Sequence, residues 1–201
     1  MASCIRKQYS QMIAYVKTNY KWCLLTLLIL IEFIVFACLN TVANDHYGDY
    51  VAQTTPEYSS LFWSIFCENT KTAMWIILYG TIPLGLGMVF GLYFVTTNLV
   101  ATVKWLLPSV GGWKMLVCTL PHGVFELSAL VVTTMVGALW SKTVTVSLLR
   151  LIRGKPTGSA FFEEVKALVR IVALVQLPLL LIAAIIEVTV SSWLVLLVKS
   201  S

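Results

Sequence analysis

Residues 121–127 read Pro121-His122-Gly123-Val124-Phe125-Glu126-Leu127 and interrupt an apolar run that extends from Met115 to Leu139. An imidazole and a carboxylate are costly in hydrocarbon, so each is a candidate functional group; the competing interpretation is a polar pair that holds helices together. A helix that begins at Pro121 places His122 and Glu126 on one face, which continues through Thr133 and Gly137. The sequence therefore predicts that this face points into protein rather than lipid.

The composition around this stretch is that of a membrane protein. The chain has 201 residues, of which 59% are hydrophobic and 11% charged, with a mean hydropathy of +0.87. These values predict a single integral membrane domain over residues 1–201. The net charge of +5 comes from basic clusters that flank apolar segments, which indicates membrane topology and not nucleic-acid binding. No C-x-x-C pair is present among the five cysteines, so the sequence predicts neither a zinc site nor a redox motif.

The N-terminal part divides into an amphipathic segment and a first span. Residues 1–21 carry lysine and arginine between apolar residues spaced three or four apart, which predicts a cytoplasmic helix at the membrane interface. Residues 22–40 form the first predicted span, and its Glu32 is either a functional carboxylate or a helix-packing group. Residues 41–72 are acidic, so we expect this loop outside, with residues 61–68 as a helix at the outer interface.

The second predicted span covers residues 73–97 and carries a stripe of small residues. The spacing puts the stripe on one helix face and includes a G-x-x-x-G pair; its members are Gly80, Gly87, Gly91 and Asn98. Such a face lets a second helix approach closely. The sequence therefore predicts a helix-packing surface here, through which the chain could form homo- or hetero-oligomers.

Residues 98–141 must cross an even number of times, because the basic loop over residues 141–170 is predicted to be cytoplasmic. The simplest solution is a hairpin, in which residues 104–120 enter as a broken or re-entrant segment and residues 121–140 return. Pro121 and Gly123 then form the turn between them. The last segment, residues 168–198, presents Glu187 on an inward face. The predicted fold is an all-α, polytopic membrane helical bundle with about four or five transmembrane helices.

With these residues identified, the chain resembles the stage II sporulation protein M family, also known as the DUF95 family of membrane proteins. The stretch 121–129 is similar to the family signature Pro-His-Gly-x-x-Glu-Leu-x-Ala, and Asn69 and the stretch 183–187 follow the family pattern in the same order. The resemblance covers roughly residues 65–190. Leu99, where the family tends to have glycine, and the lack of a proline after Glu187 depart from the pattern. The resemblance implies a helical bundle with a Glu/His core in a prokaryotic cytoplasmic membrane. Some members of the family accompany export and immunity systems.

Three functions are compatible with these features. The first is a non-enzymatic, permease-like or scaffold subunit of a membrane complex, for which an intramembrane polar core of His122, Glu126 and Glu187 is predicted. The second is an ion- or proton-coupled transporter that uses this core. The third is an intramembrane metal-dependent enzyme, for which the residues lack an H-E-x-x-H pattern, so we expect no catalytic residue, metal or cofactor.

The expected partners follow from charge and composition. Membrane lipids surround the apolar helices, and the basic loop either binds anionic head groups or docks a cytosolic ATPase, since the chain has no P-loop motif of its own. No nucleic-acid partner is expected. The N-terminus is predicted to be cytoplasmic in a multi-pass arrangement.

Overall fold

The computed structural model describes residues 2–40, 58–110 and 112–191, and all regular structure in these ranges is helical. The α-helices are α1 (Ala2–Thr18), α2 (Tyr20–Asn40), α3 (Tyr58–Tyr79), α4 (Leu86–Val110), α5 (Gly112–Ile152), α6 (Gly158–Ile171) and α7 (Leu177–Ile186). A 3₁₀ turn at Pro83–Gly85 precedes α4, and π-helical turns occupy Val172–Gln176 and Glu187–Ser191. The predicted all-α class is confirmed.

Three helical stretches are long and apolar enough to cross a membrane: Tyr20–Asn40, Gly112–Ile152 and Gly158–Val190, and Leu86–Ala101 is a shorter apolar helix. Their outer faces carry large exposed hydrophobic side chains, including Leu24, Leu28 and Phe94. An aqueous domain would bury such faces, whereas a bilayer accommodates them. The protein is therefore a membrane helical bundle.

The single span predicted over residues 73–97 is wrong, because the chain turns in its middle. Helix α3 ends at Tyr79 and α4 begins at Leu86. Between them, Leu84 has φ 65° and Gly85 has φ 77°, a left-handed backbone that ends a helix. Hydroxyl groups of α5 stabilise the turn, since Ser141 accepts a hydrogen bond from the Gly85 N–H at 2.8 Å. The predicted interfacial segment 61–68 is accordingly part of α3.

The hairpin turn predicted at Pro121 and Gly123 is also wrong. Both residues lie inside α5, a continuous helix of 41 residues, and the chain passes from α4 to α5 between Val110 and Gly112. In hydrocarbon a continuous helix satisfies its own backbone, whereas a turn exposes several polar groups. A proline inside a helix removes only one such hydrogen bond. The chain therefore breaks near the middle of the predicted segment 104–120, between Val110 and Gly112, and not at Pro121.

Specific contacts fix the directions of the helices. Asn69 touches Glu126, and Gly80 lies against Gly137, so α3 and α5 run parallel. Gly87 lies against Tyr79, which makes α4 antiparallel to α3. Lys104 bonds to the Cys38 carbonyl, which together with a core cluster of Leu30, Met88, Leu92 and Ala138 makes α2 parallel to α4.

Helix α5 is the centre of the bundle and packs against the C-terminal helices in the opposite direction. One cluster joins Val136 and Leu139 to Leu168 and Ile171, and another joins Ala129 to Leu180. The turn at 80–85 and the loop at 153–157 thus lie at one end, which we call the basic end. The end that carries Asn40, Tyr58 and the α4–α5 junction is the far end.

The N-terminal amphipathic segment is helix α1, and it packs on the basic-end cluster through Met12, Tyr15 and Val16. The Tyr15 hydroxyl donates a hydrogen bond to the Glu164 carboxylate of α6. Burial raises the pKa of Tyr15 above its usual range, and the hydrogen bond to Glu164 acts in the same direction. Tyr15 therefore holds α1 to α6 as a neutral donor at ordinary pH.

Candidate functional site

Glu126 lies on the inner side of α5, where the side chain of Asn69 from α3 reaches it. The Asn69 Nδ2 atom donates to the Glu126 Oε1 atom at 2.8 Å. Because α3 and α5 run parallel and touch through small residues, Ala73 and Ala129 among them, their polar side chains can meet one turn farther toward the far end. This hydrogen bond offsets part of the desolvation free energy of a carboxylate that lies among apolar helices.

A cavity of about 350 Å³ opens beside this pair. It lies between α3, α4, α5 and α7, and its lining includes Asn69, Thr72, Val95, Leu99, Glu126 and Leu180. Most of the wall is apolar, so the carboxylate, the amide and the threonine hydroxyls of the lining are the groups that could orient a polar occupant. A few convergent polar groups in an apolar cavity are typical of a binding site.

Two further ionisable residues, His122 and Glu187, interact with Glu126. His122 lies one turn before Glu126 on α5, as predicted, and the charge of Glu126 acts on it. Glu187 begins the second π-helical turn, directly after α7, and the charge of Glu126 acts on it as well. All three side chains are half-buried. We call Asn69, His122, Glu126 and Glu187 the polar cluster.

Glu126 of α5 thus interacts electrostatically with both other residues of the predicted polar core, with His122 on the same helix and with Glu187 in the turn after α7. A cluster with two carboxylates, an imidazole and an amide can share a proton, exchange it, or hold a cation between the oxygens. Which of these it performs stays a prediction. Within the described ranges, no group of three His, Cys, Asp or Glu side chains is arranged to hold a metal ion.

The predicted helix-packing residues lie elsewhere and do not share one helix. Gly80 is in the turn after α3, whereas Gly87, Gly91 and Asn98 are on α4. A Cβ atom at Gly87 would lie 2.0 Å from the Tyr79 carbonyl oxygen, and one at Gly80 would lie 2.6 Å from that of Gly137. The glycines therefore allow close packing inside the chain. Asn98 donates its amide to the Phe94 carbonyl of its own helix, and Glu32 is exposed on α2.

Two polar residues gain an importance that their sequence positions did not indicate. The family resemblance includes Asn69, but nothing in its sequence neighbourhood indicates that it faces Glu126. The side chain of Gln176 is only 1% exposed, and its Oε1 atom accepts no hydrogen bond from the residues that the structure describes. Gln176 ends the first π-helical turn. Such turns inside helices often occur at functional positions.

Comparison with protein families gives a match that covers most of the chain. Residues 22–192 match the family described as Stage II sporulation protein M, which confirms the resemblance drawn from the sequence. The matched region begins at the start of α2 and includes every member of the polar cluster. Searches among curated proteins and among solved structures gave no match.

Proposed function

Because the chain belongs to the stage II sporulation protein M family, a family of membrane proteins, we propose that it is a permease-like or scaffold subunit of a membrane complex. The observation that carries the proposal is the Glu126 carboxylate, bonded to Asn69 beside a cavity of about 350 Å³ inside an apolar helical bundle. A carboxylate at this position costs stability unless it is compensated. The cavity beside it has room for an occupant on which the carboxylate could act.

The permease-like role is favoured over the scaffold role by the way the glycines are used. A scaffold would assemble through the small-residue face, but Gly80 and Gly87 are covered by α5 and α3 of the same chain. Oligomerisation, if it occurs, must use other surfaces. Membrane lipids contact the exposed apolar faces of α2 and α4.

The orientation we propose follows from the basic residues. Lys142, Arg150, Arg153 and Lys155 lie at or next to the basic end, which we place in the cytoplasm of a prokaryotic cell by the positive-inside rule. The N-terminus is then cytoplasmic as well. Passes through α2, α3, α4, α5 and the α6–α7 stretch bring the chain to the far end.

A cytosolic ATPase is the partner we propose for the basic end, in keeping with a permease-like subunit of an export or immunity system. The exposed Arg150 lies in the last turn of α5, and the exposed Arg153 lies in the loop between α5 and α6. An energy-supplying partner is needed because the sequence contains no P-loop. We propose that the chain itself is not an enzyme.

The experiment that tests this proposal is purification of the tagged chain from its own cells in mild detergent. We expect a stoichiometric membrane complex, and an ATPase bound to it that is lost when Arg150 and Arg153 are both changed to Gln. Glu163→Gln, which changes an exposed charge on α6, is the matched control and should keep the complex. Recovery of the chain alone, from several detergents, would contradict the subunit role.

A second candidate, proton or cation handling, is favoured by the electrostatic interaction of Glu126 with both His122 and Glu187. Liposomes that contain the purified chain and an internal pH dye should acidify under an inward proton gradient. Glu126→Gln should abolish this flux while the folded protein is recovered in equal amount, and Glu32→Gln should leave it unchanged. Equal flux in wild type and Glu126→Gln would rule out this role.

A further inference from the structure

A second cavity lies at the basic end, on the opposite side of α5 from the polar cluster. Its volume is about 410 Å³, and it is bounded by α2, by the turn before α4 and by α5. The lining includes Trp22, Ile29, Met88, Ala138, Lys142 and Val146. The volume is within the range of about 300–1,000 Å³ that is typical of small-molecule sites. We call this cavity the groove.

The groove has an apolar wall and one cationic group. The polar side chains along it are already bonded within the protein: Thr26 to backbone carbonyls of its own helix, Ser141 to the Gly85 N–H and Thr145 to the Leu84 N–H. Lys142 also has a partner in the protein, but it is the cationic group of the lining. Its Nζ atom donates to the Asn19 Oδ1 atom at 2.9 Å and lies 5.7 Å from the centre of the Trp22 ring.

The position of Lys142 leaves it able to bind an anion. An ammonium group has three donors, and the Asn19 oxygen accepts one of them. Neither of the ion pairs found among the described residues, Lys71–Glu68 and Lys166–Glu163, involves Lys142. The half-buried Lys142 thus meets an amide and an aromatic face, both neutral, and a negatively charged group at the mouth of the groove would complete its environment.

The two ends of the groove differ in a way that matches an amphiphile. Lys142 and Trp22 are nearest the basic end, and Ile29, Met88 and Ala138 are toward the middle of the bundle. Trp and Lys commonly sit at the level of lipid head groups, with apolar residues at the level of the chains. Lys21 shares a helix face with Leu25 of the wall and adds positive charge near the mouth.

From these contacts we propose that the groove binds one anionic phospholipid, with its phosphate at Lys142 and an acyl chain along Ile29, Met88 and Ala138. The proposal is independent of the polar cluster, which lies on the other side of α5. It also differs from general adsorption of a basic surface to a membrane, because it assigns one lysine and one groove. A bound lipid here would join α2 to α5 through surfaces that are otherwise separated by the groove.

Native mass spectrometry of the chain released from nanodiscs of equal phosphatidylglycerol and phosphatidylcholine content tests the proposal. We expect wild type to retain one phosphatidylglycerol in preference to phosphatidylcholine. Lys142→Gln should reduce that retention about tenfold, the order of change expected from losing a hydrogen bond between charged groups. Val89→Trp, which adds bulk at an exposed position of the wall, should reduce it too, and Lys142→Arg should keep it.

Lys155→Gln is the matched control, because it removes the same charge from an exposed position outside the groove. Equal loss in Lys142→Gln and Lys155→Gln would mean general attraction to basic residues and would overturn the proposal. Competition by glycerol phosphate as effective as that by dioctanoyl phosphatidylglycerol would overturn it as well, because the groove would then contribute nothing. If Lys142→Gln is recovered poorly, Val89→Trp and glycerol phosphate competition still decide the matter.

Discussion

The side-chain amide of Asn69 is a hydrogen-bond donor to the Glu126 carboxylate. Its Nδ2 atom donates to the carboxylate at 2.8 Å across the contact between α3 and α5. Removal of the donor leaves a half-buried acceptor without its partner, which costs up to about 1–3 kcal/mol, whereas removal of both partners costs much less. The two residues should therefore be strongly coupled in their effect on stability.

We predict that Asn69→Ala lowers the free energy of unfolding in detergent by about 1–3 kcal/mol and that the same change costs less in a Glu126→Ala background. A double-mutant cycle by denaturant titration measures this coupling. Ser128→Ala is the control, since the Ser128 hydroxyl donates to the Val124 carbonyl of its own helix. Additive effects of Asn69→Ala and Glu126→Ala would show that the bond contributes nothing to the folded state.

Tyr15 provides a prediction about pH. Burial, together with the hydrogen bond to Glu164, raises the Tyr15 pKa in the folded protein above the ordinary value of about 10. The stabilisation is therefore fully present below the unfolded-state value and is lost as the pH rises through the raised folded value. Ultraviolet titration of the folded protein should show the same number of tyrosines ionising near pH 10 in wild type and in Tyr15→Phe. A smaller number in the variant would mean that Tyr15 titrates as an ordinary phenol.

At the scale of the helices, the close approach of α3, α4 and α5 depends on glycine. A methyl group at Gly87 would collide with the backbone of Tyr79, and one at Gly80 with the backbone of Gly137. Backbone atoms cannot move aside as a flexible side chain can, so the helices would have to separate. The contacts join elements of one chain, and their loss should appear as lower stability.

We predict that Gly87→Ala and Gly80→Ala each lower the free energy of unfolding by about 1–3 kcal/mol or more through overpacking. Gly123→Ala is the control inside α5, because the nearest atom to an added Cβ is 3.8 Å away. It should be neutral, or stabilising by about 0.5–1 kcal/mol through helix propensity. Thermal unfolding in detergent gives the comparison, and equal melting temperatures for all three variants would contradict it.

The helices show which parts of the fold could be inferred from sequence. Apolar length predicted α2, and the spacing of His122 and Glu126 predicted their common face, because both signals are local. The turn at 80–85 was missed since Gly80, Pro83 and Gly85 sit in an apolar run, and its stabilisation by Ser141 and Thr145 comes from a distant part of the chain. Pro121 suggested a turn because local propensity disfavours proline in helices, but packing around α5 prevails.

The ionisable residues of the site could be predicted from the sequence, but their contacts with other helices could not. Ionisable residues in an apolar run are visible in the sequence, so His122, Glu126 and Glu187 could be selected by their cost in hydrocarbon. The Asn69–Glu126 bond joins residues that are 57 positions apart. Its existence depends on the parallel arrangement of α3 and α5, which no local pattern encodes.

For the whole molecule, the prediction concerns topology. The turn at 80–85 and the α4–α5 junction each reverse the chain once, so the two errors in the predicted spans compensate and leave the loop at 153–157 on the same side as the N-terminus. In a cysteine-free background, Ser159→Cys should be labelled only from the cytoplasm and Ser60→Cys only from outside. Labelling of both positions from one side would refute the arrangement of five passes.

The length of α5, 41 residues, determines how far its end moves when the helix tilts. From Glu126 to Ile152 the helix contains no proline, and at 1.5 Å per residue this part is a rod of about 39 Å. A tilt of about 5° with its pivot at Glu126 would displace Ile152 sideways by about 3 Å, which is comparable to the rise of two helical residues. Helix α5 is therefore long enough that a small tilt about the level of Glu126 would move the arginines at the basic end farther than any other part of the helix.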